Sequence, residues 1–202
     1  MAEARATNPF IIQFRKGGVP RELRLMAAQG ALPLKPEDLV ELWTDLTRDP
    51  EEEVKQSALA SLYAFGAAEF LPILKSRETP ASVLSWALIH RPERELREAV
   101  LQNTSTPDEV IESLAGELPQ ALAELVVVNQ TRLLRRTSLL EVLETNPHLS
   151  NDQRRRMLDT RTGGGGWSPV HGGGQSLDVG VAPNGAGAVS GTLSIVTPSG
   201  PT

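Results

Sequence analysis

The sequence predicts an all-α fold: a right-handed α-solenoid of short stacked helix pairs, followed by a glycine-rich tail. Three observations predict it. Apolar residues recur at helical spacing: Leu39, Leu42, Trp43 and Leu46 fall at i, i+3, i+4 and i+7, and Val54, Ala58, Leu62 and Phe65 make a second stripe. Prolines followed by acids mark where helices begin, as in Pro36-Glu37-Asp38, Pro50-Glu51-Glu52-Glu53 and Pro107-Asp108-Glu109. Three segments also share one pattern, a leucine, a glutamate two residues on and an asparagine seven residues on: Leu96, Glu98, Asn103; Leu122, Glu124, Asn129; Leu139, Glu141, Asn146.

In chain order, residues 9–14 (Pro-Phe-Ile-Ile-Gln-Phe) form an apolar run ahead of Gly17-Gly18. The expectation is a capping segment over the first helix, or a single strand, covered because an exposed run of this kind aggregates. Helices are then expected over 20–29, 36–48, 50–65, 67–76, 80–90, 93–102, 107–116, 119–128, 131–135, 138–145 and 151–160. Proline at the first helical position loses no hydrogen bond that the helix needed. Thr106 with Glu109, and Ser150 with Gln153, fit capping boxes; Asp49 with Glu52 is a looser version. Trp43 and Trp86 lie on apolar stripes and read as core. Residues 121–128 are apolar nearly all round, so that helix is expected to be sandwiched, with a charge at Leu125 unfolding the protein.

The totals narrow the classes. The chain has 202 residues and no cysteine, which removes disulfides, thiolate nucleophiles and cysteine-ligated metal or iron–sulfur centres. No apolar run reaches the length of a membrane span, and the first eight residues lack a signal-peptide pattern, so the expected home is cytoplasmic. Net charge is −5, unevenly placed: residues 51–129 carry −7 and residues 130–161 carry +3. After Thr162 the composition shifts, with twelve of the seventeen glycines and no lysine or arginine. The domain reading is therefore a capping segment over 1–19, a helical-repeat domain over 20–161 and a flexible tail over 162–202, with a weak β-hairpin as the alternative for the tail.

The repeat has two resemblances. Asp49-Pro-Glu-Glu-Glu-Val54-Lys55-Gln-Ser-Ala58-Leu-Ala-Ser-Leu62 resembles the second-helix signature of HEAT repeats; Leu23-Arg24 with Ala27, and Leu96-Arg97 with Val100, echo it. Leu96 to Val110, with the degenerate copy Asn146-Pro147-His148-Leu149-Ser150, resembles leucine-rich repeat variants. The likeness spans about residues 20–160. It implies stacked helix pairs in which the acidic cap and the basic residue bridge adjacent repeats; Asp49 and Lys55 match those positions, and Arg24 matches the basic one. Some leucine-rich repeat variant proteins hold an iron–sulfur cluster on cysteines, which this chain lacks. One helix pair cannot bury its apolar face alone, so such units stack and present an extended surface.

Two groups are candidate partner-binding residues. Arg132, Arg135, Arg136, Arg154, Arg155 and Arg156 would form a basic face if their helices are adjacent, suited to an acidic protein or a nucleic-acid backbone. The plainer alternative is a solvated face, with some arginines paired to Glu141, Glu144 or Asp159. Asn103, Asn129 and Asn146 would form a ladder on the inner surface, or cap helix C-termini in the left-handed conformation. His90, His148 and His171 lie at no metal spacing, and no nucleophile elbow or phosphate loop is present. The sequence thus points to a non-catalytic protein-interaction scaffold without a cofactor, with an acidic protein partner. Nucleic-acid binding through the arginines is the alternative.

Overall fold

The computed structural model describes residues 8–161, and the expectations for residues 1–7 and for 162–202, including His171 and the hairpin, lie outside them. The described residues form twelve helices and no strand. They are α1 (Pro9–Lys16), α2 (Arg21–Ala28), α3 (Pro36–Leu46), α4 (Glu52–Ala64), α5 (Ala67–Lys75), α6 (Ala81–His90), α7 (Arg94–Gln102), α8 (Asp108–Ala115), α9 (Gln120–Val127), α10 (Gln130–Arg135), α11 (Thr137–Glu144) and α12 (Asn151–Arg161).

The eleven expected helices are present with ends moved by a few residues. The first apolar run is a twelfth helix rather than a strand. Asn8 accepts a hydrogen bond from the Phe10 amide and Pro9 opens the first turn. Phe10 and Phe14 stack one turn apart, with ring centroids 5.1 Å apart. Ile11 is fully buried, and α1 packs on α3.

Prolines start helices, but mostly one position earlier than expected. Pro20, Pro80, Pro107 and Pro119 occupy the N-cap itself, with ψ between 134° and 149°. The N-cap amide is no more needed by the helix than the next one, so the missing N–H costs nothing there either. With Pro107 at the cap, Thr106 does not form a capping box; its hydroxyl donates to Val100 O at 2.6 Å. The Ser150–Gln153 box is formed in both directions, at 2.8 and 3.2 Å. Gly30, just past α2, takes φ +74°, and a β-carbon there would meet the Trp43 ring at 3.0 Å.

Helix contacts run in two rows. α1, α3, α6, α8 and α11 touch in succession, as do α5, α7, α9 and α12; α2 packs on α4, and α2–α3, α3–α4 and α6–α7 contacts join the rows. One apolar core is shared from Ile11 to Met157. Trp43 and Trp86 both belong to it, at 6% and 7% exposure.

α9 departs from the expectation. Leu122, Ala123, Val126 and Val127 are buried, but Leu125 is only partly so and Val128 is exposed, so the helix buries one side rather than being enclosed. The charge substitution that unfolds the protein is therefore Val126→Asp. Val126→Asp is expected to abolish the cooperative thermal transition, since an unpaired buried charge exceeds the stability of a domain this size. Leu125→Asp is expected to leave a folded protein with a lowered Tm. Circular dichroism melts of both variants check the pair.

Candidate functional site

Most of the sequence-predicted asparagines and arginines, all but Asn129 and Arg155, are joints between segments of the chain. Asn103 follows α7 and is buried. Its Nδ2 donates to Leu74 O at 2.7 Å and Ser76 O at 2.8 Å, the open C-terminal carbonyls of α5, while its Oδ1 accepts from Ser105 N. Asn146 follows α11, is fully buried, and repeats the arrangement 43 residues on. It donates to Ala115 O at 2.7 Å and Leu118 O at 2.9 Å, at the end of α8, and accepts from His148 N. Both side chains cap another helix's C-terminus; Asn103 is also the C-cap of its own helix α7, as expected, but with extended backbone (φ −73°, ψ 124°) rather than the left-handed conformation. Asn129 does neither: it is the N-cap of α10, accepting from Arg132 N at 3.1 Å.

Arginines continue the same device. Arg132, 3% exposed, donates to Asn103 O and Thr106 O, closing the end of α7, and pairs with Asp108 at 3.1 Å. Arg154 donates to Glu144 O and Asn146 O, closing the end of α11. Arg91 donates to Leu62 O and Phe65 O at the end of α4, with its guanidinium 5.4 Å from the Phe70 ring centroid. Trp43 Nε1 and Ser61 Oγ donate to Ala27 O and Ala28 O at the end of α2. Burial pushes the Arg132 guanidinium below its ordinary pKa, with Asp108 opposing that shift.

The remaining arginines pair with carboxylates across helices. Arg135 makes a two-pronged bond to Asp108 at 2.8 and 2.9 Å; Arg136 meets Glu109 and Glu112; Arg156 grips Glu124 at 2.7 and 2.8 Å. Arg155 alone of the six is exposed without a partner among the described residues. Their contacts fall into two sets. Arg132, Arg135 and Arg136 gather at the start of α8, whereas Arg154 sits at the C-terminal end of α11, whose N-cap is Arg136. Five of the six arginines are thus engaged in contacts within the chain, and Arg155 is the exception. Of the predicted acidic partners, Glu144 is engaged, its carboxylate with Arg161.

These pairs set an acid limit on stability. The Arg156 hydrogen bonds hold the Glu124 carboxyl below its usual range against desolvation, with Gln153 helping; Arg136 does the same for Glu112 and Arg91 for Glu93. A carboxylate depressed in the folded state contributes stability above its unfolded pKa of about 4.3 and loses it as pH falls through the folded value. Tm is therefore expected to be insensitive to these groups between pH 6 and 8 and to fall progressively below about pH 5. Glu124→Gln should show a shallower acid fall in scanning calorimetry.

Two further features lie on the surface. Trp86 is buried against Tyr63 and His90, with ring centroids at 5.4 and 5.1 Å, and its indole N–H has no hydrogen-bond partner among the described residues. A groove of about 460 Å³ opens where the start of α3, one side of α5 from Glu69 to Ile73, and the start of α6 meet. Its floor is Ile73, Thr79 and Val83, all buried, and its rim carries Lys35, Glu37, Glu69 and Glu78. Neither feature was visible in the sequence, because each is assembled from separate segments.

Among the described residues no group of three histidine, aspartate or glutamate side chains could hold a metal ion. No single described helix is long and apolar enough to cross a membrane, and the one apolar pair, α4 with α5, is bent by 93°. No family model, curated protein or solved structure matches the chain.

Proposed function

We propose that residues 20–161 are a right-handed α-solenoid of the HEAT-like or leucine-rich repeat variant kind, acting as a non-catalytic protein-interaction scaffold. The observation that carries this reading is the recurrent capping of one helix end by a side chain roughly one repeat further on: Asn103 on α5, Arg132 on α7 and Asn146 on α8. Such joints lock each unit to its neighbour and hold a surface rigid before a partner arrives, which lowers the ordering cost of binding. The Arg24–Asp49 bridge between α2 and the start of α4 is the acid-to-base link that the HEAT resemblance implies.

The proposed partner surface is the groove beside α5 rather than the arginines, five of which are engaged within the chain, leaving only Arg155 exposed and unpaired among the described residues. Nucleic-acid binding is the weaker reading for the same reason: a backbone-tracking site needs free cations on one face. Affinity capture with the tagged full chain, with and without nuclease, tests the reading. A defined protein that survives nuclease supports it. Partners lost with nuclease, or no enrichment, would contradict it.

A further inference from the structure

Resting on that scaffold reading, we infer that the α3/α5/α6 groove is a docking site for an extended, basic segment of a partner protein, with an apolar residue on its floor and lysine or arginine at its rim.

The charge pattern singles the groove out. Most carboxylates in the described residues are paired: Glu41 and Asp45 with Arg15, Asp49 with Arg24, Asp108 with Arg132 and Arg135, and Glu124 with Arg156. Seven carboxylates, Glu22, Glu37, Glu69, Glu78, Glu95, Glu117 and Glu141, have no cation or hydrogen-bond donor among the described residues, and three of the seven, Glu37, Glu69 and Glu78, gather on this one rim. Lys35 is the one cation there, so the rim is left with an excess of two negative charges. Service to helix dipoles accounts for Glu37 and Glu69, which lie in the first turns of α3 and α5. It does not account for Glu78, which precedes the N-cap Pro80 of α6 and so stands outside the helix.

The floor supplies what an acidic rim alone would lack. Ile73 and Val83 form an apolar base, and Pro36, Pro72 and Pro80 stiffen the walls. Pro72 sits inside α5 and has no N–H, so the Ala68 carbonyl lacks its partner from the helix. A rigid, partly apolar trough with unneutralised carboxylates fits an extended chain that sets alternate residues down and up. The chain's own residues 162–202 contain no lysine or arginine and cannot supply the matching charge.

The test titrates the ¹⁵N-labelled full chain with a nonapeptide of alternating lysine and proline, against a glutamate–proline control. The expected result is saturable shifts confined to Lys35–Glu37, Glu69–Ile73 and Glu78–Val83, with the control silent. The exposed triple variant E37Q/E69Q/E78Q should stay folded, with a melt lowered only slightly by the loss of two first-turn acids, and weaken the peptide about tenfold. Shifts elsewhere, equal response to the control, or unchanged affinity in the triple variant would overturn the site. A captured partner held equally by the triple variant would overturn the groove and leave the scaffold reading standing, whereas loss of all partners from the wild-type chain would strike the scaffold reading itself.

Discussion

Asn146→Ala is expected to lower the unfolding free energy by about 3 kcal/mol. The residue is fully buried, and its amide satisfies two carbonyls, Ala115 O and Leu118 O, while accepting from His148 N. Alanine leaves three polar groups without partners in a place water does not reach, and each costs roughly 1–3 kcal/mol when unsatisfied. The cavity adds little, because the asparagine side chain is small. Asn146→Asp separates hydrogen bonding from size. It keeps the volume but turns a carboxylate oxygen toward two carbonyl oxygens, so it should be no better than alanine at pH 7. Urea unfolding of the three proteins at pH 7 checks both statements, with an unchanged m-value showing that stability alone moved.

Arg132→Ala is the second large effect, expected at about 3–4 kcal/mol. Arg132 is buried, closes two carbonyls at the end of α7 and faces Asp108. Truncation opens that helix end and takes one of two cations from Asp108, which keeps Arg135 at 2.7 Å. The retained partner holds the cost to the lower part of the range for a broken buried pair. Arg132→Lys keeps the charge but not the fork, so one carbonyl loses its donor and roughly half the loss should remain. Arg155→Ala, which removes an exposed and unpaired arginine, should stay within about 0.5 kcal/mol of wild type. Because Arg132 donates to the backbone of Asn103, the effects of Arg132→Ala and Asn103→Ala should not add. The same urea titrations give all of these values.

The helices were legible because their signals are local. Apolar spacing and proline positions lie within one element, and the Ser150–Gln153 box spans four residues. α1 was ambiguous because Phe10, Ile11, Ile12 and Phe14 suit a strand as well as a helix. What decides it is the Asn8 cap and the contact with α3, where Arg15 meets Glu41 and Asp45. The candidate site was legible only as residue types. Asn103, Asn129 and Asn146 share a sequence pattern, yet two cap distant helices and one starts its own. The difference follows the asparagine: Asn103 and Asn146 lead into turns that delay the next helix, whereas α10 begins directly after Asn129. Sequence shows that Arg136 and Arg156 are helix-end and helix-surface cations. It does not show that their carboxylates lie 24 and 32 positions back, at Glu112 and Glu124. The groove escapes notice for the same reason, since its carboxylates come from three separate segments.

The C-terminal ends of α2, α4, α5, α7 and α8 are each held by a side chain about one repeat further along. Native-state amide exchange on Asn146→Ala tests this claim most directly. If the claim holds, protection falls first and most in the last turn of α8 and the turn after it, residues 113–118, and far less in α3 and α4. A uniform loss across residues 8–161, or no loss at residues 113–118, would contradict it.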